Sequence, residues 1–271
     1  MTVRTSRLWH VPLALLIVAW IWPILWTVAT SLKPVEGGAL LRPTLIFEPT
    51  LANYIDLFTN RDFGFYLLNS LLIAGGATLV SVFLACLAAY PLSRSQMAGR
   101  ERISMWILSL RMLPPISLVV PFYLMLSRTG FLDSYPGLLV VYMSFSLPFA
   151  VWMLTGFFAE IPRSIDEAAA ADGATPLKIL FRFIVPLARG GISVTTIFTF
   201  VFAWNEFLFA FLLTKERWVT VPVRLGSTIT PFQTDWGFLT GGAIMSFLPL
   251  VLVVFLLQRQ MVRGVSLGAV R

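Results

Sequence analysis

Hydroxyl, aromatic and carboxylate side chains recur at helical spacing in the apolar run 187–213. Thr195, Thr199, Phe202 and Glu206 share one face if each residue turns the helix by about 100°. Such a stripe can hydrogen-bond and stack against a polyhydroxylated solute. The alternative is that the two threonine hydroxyls bond their own backbone and that Glu206 lies at the outer interface of a membrane. We include the neighbouring Asn205 in this candidate solute path.

Arg111 is a charged residue about eight positions inside another apolar run, roughly 12 Å deep at about 1.5 Å per residue. A charge at that depth in lipid is costly, so it should face a cavity or a partner, and we assign it to the same path. The alternative is that its side chain extends toward the headgroups of the cytoplasmic side. The Pro114-Pro115 pair just beyond it predicts a break or kink, because proline lacks a backbone N–H.

The residue sets that catalysis needs are missing from the sequence. There is no Gly-x-x-x-x-Gly-Lys-Ser/Thr segment for nucleotide phosphates and no zinc-ligand spacing, and His10 is the single histidine. The single cysteine, Cys86, lies in an apolar run, where packing is its simplest role. We therefore predict a chain that is not an enzyme and that has no catalytic residues, no metal site and no cofactor of its own.

The composition predicts membrane-spanning helices. Hydrophobic residues make up 58% of the chain and charged residues 12%, whereas soluble domains carry about 25% charged residues. Backbone groups in lipid must bond internally, which favours helices, and the alternating pattern of barrel strands is absent. We predict an all-α polytopic membrane protein with one domain over residues 1–271. The six predicted spans are 11–32, 65–92, 103–126, 135–158, 187–213 and 241–257.

The distribution of basic residues predicts the orientation of these spans. Six spans place both termini on one side, and twelve Lys and Arg residues fall on that side against seven on the other. Basic residues favour the cytoplasm, so the termini and the loop 159–186 should be cytoplasmic. We accordingly assign the net charge of +7 mainly to topology and not to nucleic acid.

The loop 159–186 is a polar island with local signals for two short helices. Ser164 with Glu167 three residues later fits a capping box at the start of the first helix. Gly173 can supply a left-handed cap at its end, and Thr175 followed by proline can begin a second helix that ends near the fifth span. Four consecutive alanines should make the first helix thin on every side. Such order indicates contact with another protein, and the alternative is a loop that lies on the membrane surface.

This loop resembles the EAA loop of binding-protein-dependent ABC importer permeases. The resemblance rests on Glu167-Ala168-Ala169, on Gly173 six residues after the glutamate, and on Ile184 and Pro186. In that family the loop is a coupling helix that docks into an ATPase subunit. The resemblance implies that the residues of ATPase coupling are Glu167, Ala168, Ala169, Asp172, Gly173 and Pro186.

Other stretches are similar to the sugar-importer branch of that family, the maltose-permease-like subunits. They are Pro114-Pro115 with Pro121, and residues 132–137, 147–149, 203–207 and 262–271. The resemblance covers nearly the whole chain and implies a multi-pass subunit of the bacterial inner membrane that forms half of a path for a sugar or related polyol. The implied partners are a homologous permease in a heterodimer, two ATPase subunits carrying ATP and Mg, an extracytoplasmic solute-binding protein and membrane lipid.

Two other functions compete with this reading. A self-sufficient secondary transporter usually has internal repeats and acidic residues at the midplane, and the sequence has no clear repeat and no such acid pair. A membrane scaffold or receptor without transport would have no ATPase partner. The solute also stays open, because a basic residue such as Arg111 could meet the phosphate of a phosphorylated polyol.

Overall fold

The computed structural model describes residues 10–34, 44, 46–95, 98–230 and 234–268. Within these ranges the chain is helical and contains no strand, only an isolated antiparallel bridge between Ile229 and Thr234. This confirms the predicted all-α fold. Arg4, Arg7 and residues 269–271 of the predicted basic tail lie outside the described residues.

The helices follow one another along the chain with short connections. They are α1 (His10–Ser31), α2 (Ala52–Thr59), α3 (Phe63–Arg94), α4 (Arg100–Ser109), α5 (Pro115–Thr129), α6 (Tyr135–Ala159), α7 (Ser164–Ala171), α8 (Pro176–Ile179), α9 (Val185–Leu187), α10 (Arg189–Trp204), α11 (Leu208–Leu213), α12 (Val221–Gly226) and α13 (Trp236–Gly268). A 3-10 turn, Leu110–Met112, follows α4, and a π-helical turn, Leu180–Ile184, joins α8 to α9.

Among the described residues, four helical segments are long and apolar enough to cross a membrane, judged by length and composition. They are Pro12–Ser31, Phe63–Arg94, Tyr135–Ala159 and Trp236–Gln258. The number rises to six if each of two bent helix pairs counts as one span, which agrees with the six predicted spans. The sixth span begins earlier than predicted, at Trp236, and its helical backbone continues to Gly268.

The predicted break at Pro114-Pro115 is confirmed. The 3-10 turn ends at Met112, Leu113 and Pro114 have extended ψ angles of 131° and 122°, and α5 begins at Pro115. The two halves meet at 84°. Proline lacks an N–H and disfavours a helical conformation in the residue before it, which accounts for the break.

The fifth predicted span is not one continuous helix, which corrects the prediction for 187–213. α10 begins at Arg189 after a bend of 82° and ends at Trp204, and α11 is a separate helix. Asn205 donates its side-chain amide to the Val201 carbonyl at 2.7 Å, and Glu206 accepts the backbone N–H of Phe209 at 2.9 Å. The Val201 carbonyl also accepts the Asn205 backbone N–H at 3.1 Å, and the Glu206 N–H turns back to the Ala203 carbonyl at 3.3 Å, a tighter closing turn at which α10 ends.

The described chain divides into two compact units. The smaller contains the described residues up to Phe65 together with Arg224–Leu248, and the larger contains Tyr66–Val223 and the described residues from Pro249. In the smaller unit the buried amide of Asn53 donates to the carbonyls of Ser31 and Lys33, at 2.8 Å each. The single domain over residues 1–271 that the sequence indicates remains a prediction.

The larger unit contains two clusters of buried apolar side chains. The first cluster includes Ile73, Ala77, Tyr142, Phe200 and Trp204. The second cluster includes Ala85, Ala89, Leu154, Phe158, Ala169, Leu180 and Ile184. Because the second cluster takes in residues of α7, α8 and the π-helical turn, the loop 159–186 is anchored by the same apolar packing as the helices.

Candidate functional site

The bend between α7 and α8 is fixed by Gly173, as predicted. Gly173 has a φ of +78°, and its N–H bonds the Ala170 carbonyl at 2.9 Å. The next N–H, of Ala174, returns to the Ala169 carbonyl at 3.0 Å. Glycine adopts positive φ without steric cost, so this cap turns the chain sharply into the second helix.

The predicted capping box at Ser164 is wrong. Ser164 is the first residue of α7, the residue before it is already helical, and no side-chain hydrogen bond caps the helix. A serine with helical backbone no longer directs its hydroxyl at the free N–H groups of the first turn. Thr175 does precede α8, with Pro176 as its first residue, but its hydroxyl makes no cap bond either. The second helix continues through the π-helical turn and ends at Leu187, close to the predicted end.

The predicted coupling residues are mostly on the surface of this loop. Glu167, Ala168, Asp172, Gly173 and Pro186 are exposed. Ala169 is 5% exposed and belongs to the second cluster. One side of α7 is therefore covered, and the outer side with its small side chains is exposed.

The covered side of α7 is held by Asp166, a largely buried carboxylate whose partners the sequence did not indicate. Asp166 accepts a hydrogen bond from the Tyr90 hydroxyl at 2.8 Å and pairs with Arg94 at 3.1 Å. The latter contact is an ion pair and not an aligned hydrogen bond. Arg94 also donates to the Ile161 carbonyl at 2.9 Å. The side chains of Arg94 and Asp166 are 12% and 16% exposed, so solvent screens this pair little.

From the sequence alone, Asp166 offers only a negative charge in the first turn of a helix. Arg94 is only one of the basic residues on the predicted cytoplasmic side. A usable signal was present, because Tyr90 and Arg94 are four residues apart and therefore share a helix face at the end of an apolar run. Their partner lies 76 residues from Tyr90, a distance over which sequence pattern alone does not assign contacts.

Arg111 lies between two aromatic rings. Its guanidinium carbon is 4.6 Å from the ring centre of Phe149 on α6 and 4.2 Å from that of Phe202 on α10. The two rings meet edge to face, with 5.3 Å between centres. Ring faces attract a cation, so α6 and α10 balance this charge with their own aromatic side chains. The structure thus brings together two predicted path residues, Arg111 and Phe202, and adds Phe149.

The other predicted path residues do not form one stripe with Phe202. Thr195 and Thr199 are 0% and 1% exposed, whereas Phe202 is 42% exposed. The Thr195 hydroxyl donates to the Gly191 carbonyl at 2.8 Å, which is the backbone-bonded alternative. Asn205 is exposed and Glu206 is partly exposed, but both lie beyond the end of α10. The helical-wheel argument fails because α10 packs its threonine face inward and stops at Trp204.

A turn between α5 and α6 holds the segment that follows α11. Asp133, at a φ of +51°, accepts the backbone N–H groups of Glu216, Arg217 and Trp218 at 3.0, 3.1 and 3.0 Å. Burial alone would raise the pKa of Asp133, but these N–H donors together with that of Lys215 lower it below its ordinary value. The sequence interpretation used Asp133 only within a family-like stretch and missed this role.

Comparison with known proteins identifies the family. The family model described as "binding-protein-dependent transport system inner membrane component" matches residues 81–267. The chain belongs to this family. It is a membrane-spanning permease subunit of an ABC importer, and the alternative of a self-sufficient secondary transporter is not favoured.

Curated relatives match the permease over all or most of its length. The trehalose transport system permease protein SugB of Mycobacterium tuberculosis is 35% identical, with 100% of both chains covered. The trehalose/maltose transport system permease protein MalG of Thermococcus litoralis is 34% identical over 93% of this chain and 91% of its own. This similarity supports the carbohydrate branch indicated by the sequence resemblance.

Solved structures share the fold of this permease. One is a bacterial ABC transporter involved in the import of the acidic polysaccharide alginate, with a TM-score of 0.76, 22% identity, and 96% of this chain and 98% of that chain covered. Another is the MetNI methionine ABC transporter in inward-facing conformations, with a TM-score of 0.58, 17% identity, and coverage of 76% and 99%.

Proposed function

We propose that this permease imports a sugar or related polyol and forms half of the translocation path, a homologous permease subunit supplying the other half. Support comes from the relatives named for trehalose and for trehalose/maltose. It also comes from the aromatic rings around Arg111, since ring faces stack well against sugar rings. Phe202 and Asn205 are exposed and Arg111 is partly exposed, which supports assigning them to the wall of the path. In this proposal Thr195 and Thr199 support the wall of the path from the buried side of α10, and Glu206 contributes beyond the end of α10.

The loop 159–186 is the docking site for an ATPase subunit in this proposal. The observation that carries it is the outer side of α7, where Glu167, Ala168, Asp172 and Gly173 are exposed although the opposite side is packed and ion-paired. A rigid, small-residue surface allows close approach of another backbone. Two such ATPase subunits bind ATP and Mg, and this chain binds no cofactor and catalyses no hydrolysis.

The proposed orientation places both termini and this loop in the cytoplasm of a bacterial cell. An extracytoplasmic solute-binding protein then delivers solute from the opposite side. The basic residues on the loop side support this orientation, since Lys and Arg are enriched in cytoplasmic loops.

Affinity purification in mild detergent, with identification of the chains and solute that co-elute, tests the proposal. We expect a second permease, an ATPase and a small sugar or polyol. Glu167→Lys should reduce the ATPase retained while membrane insertion is unchanged, because the charge reversal lies on the docking surface. Glu101→Lys is the matched control, because Glu101 is also exposed and also lies in the first turn of a helix, α4. Full ATPase retention by Glu167→Lys would exclude the docking site.

A further inference from the structure

The helix α3 makes polar contacts at both of its ends with segments that are distant in sequence. Near its first end, Asn69 donates its amide to the carbonyls of Arg217 and Val219, at 2.9 and 3.1 Å. The neighbouring Ser70 hydroxyl accepts the backbone N–H of Val221 at 2.8 Å. Both side chains are buried, so these bonds fix the segment 216–221 against α3.

The other end of α3 holds the loop 159–186, which we call the coupling loop. Tyr90 and Arg94 bind Asp166 of α7, and Arg94 also binds the Ile161 carbonyl just after α6. Within the described residues no other helix forms a salt bridge with α7, whereas α6 and α10 are joined to the loop by the continuous backbone. α3 is therefore tied to the loop by side chains alone.

The length of α3 is sufficient to connect the two sides of a membrane. The rise of about 1.5 Å per residue gives roughly 37 Å between Asn69 and Arg94, more than the roughly 30 Å of a hydrocarbon core. Between these ends α3 contributes Ile73, Ala74 and Ala77 to the first cluster and Ala85 and Ala89 to the second. Close packing along its length makes it hard to displace one end without the other.

We propose that α3 is a strut that couples the segment 216–221 to the ATPase-docking loop, with Asn69, Ser70, Tyr90 and Arg94 as its positioning residues. The proposal rests on the proposed docking of an ATPase at that loop. Displacement of the loop by the ATPase is carried by the Asp166 pair into α3 and reaches segment 216–221 at the opposite end. The coupling is reciprocal, so a partner that contacts segment 216–221 biases the position of the loop.

Hydrogen exchange of the purified complex tests the strut at a distance. Ser70→Ala removes the acceptor at one end, and we expect faster exchange in 216–221 and also about fivefold or more in the α7 amides, the low end of usual coupling between sites. Arg94→Gln, at the other end of α3, should speed exchange in the α7 amides directly and also speed exchange in 216–221 about fivefold or more. Asn69→Leu is a second variant at the first end.

Two controls separate coupling from general loosening. Thr129→Val removes a hydroxyl that bonds only carbonyls of its own helix α5, and Arg100→Gln removes a guanidinium that bonds the Ser95 carbonyl and not α7. Both should leave α7 and 216–221 unchanged. The strut would be overturned if each variant sped exchange only in the segment next to the mutated residue, with the segment at the opposite end of α3 exchanging as in the controls. Absence of an ATPase from the wild-type complex would instead refute the proposed function. The two failures are distinguishable because exchange in α7 and in 216–221 can be compared in the permease without an ATPase.

Discussion

Replacement of Gly173 tests whether the proposed docking of an ATPase depends on the backbone bend of the loop 159–186 and not on the free space around it. A Cβ added at Gly173 meets no atom within 4 Å, so alanine would introduce no clash. The φ of +78° nevertheless lies in the left-handed region, where an L-residue costs about 1–2 kcal/mol. Gly173→Ala should therefore weaken the bent conformation about five- to thirtyfold relative to alternatives.

Asparagine separates the two explanations because it is larger than alanine but tolerates left-handed backbone. If the bend matters, Gly173→Asn should retain more ATPase per permease after affinity purification than Gly173→Ala. If free space matters, the order should be reversed. Gly99→Ala is the matched control, since Gly99 has a φ of +92°, a Cβ added there meets no atom within 4 Å, and it lies outside the loop. More ATPase retained by the alanine variant than by the asparagine variant would refute the bend argument.

Three further predictions concern stability and transport. Gly191→Ala would place a Cβ against the ring of Phe157, so we expect a loss of about 1–3 kcal/mol in the free energy of unfolding. A Cβ added at Gly156 meets no atom within 4 Å, so Gly156→Ala should be neutral or stabilising. Arg111→Lys keeps the charge but loses planar stacking on two rings, so solute uptake should fall at unchanged expression, and uptake equal to wild type would contradict its role. Because the folded-state pKa of Asp133 is lowered, its stabilisation is complete above the unfolded pKa of about 3.9 and is lost as pH falls through the folded pKa. Asp133→Asn should thus lower the melting temperature at neutral pH and match wild type in strong acid, and a gap that persists there would contradict the argument.

Several features of the candidate site were predictable because they depend on neighbouring residues alone. The break at Pro114-Pro115 follows from a missing N–H, and the bend at Gly173 from its freedom at positive φ. The long apolar runs predict membrane helices from length and composition, and the sequence of the loop was enough to indicate the permease family. Each of these signals acts over a few residues or sums over a run, so no knowledge of packing is needed.

Other features depended on contacts between residues far apart in the chain. From the sequence, Asp166 could cap a helix or pair with a cation. The packing of α7 against α3 makes Tyr90 and Arg94 its partners. Thr199 and Phe202 are neighbours on an ideal wheel, yet one is buried and the other exposed because α10 is covered on one side only. The sequence therefore determined where helices form and break. Tertiary structure decided which charges and faces are buried, because that choice is made by the surfaces that distant helices bring together.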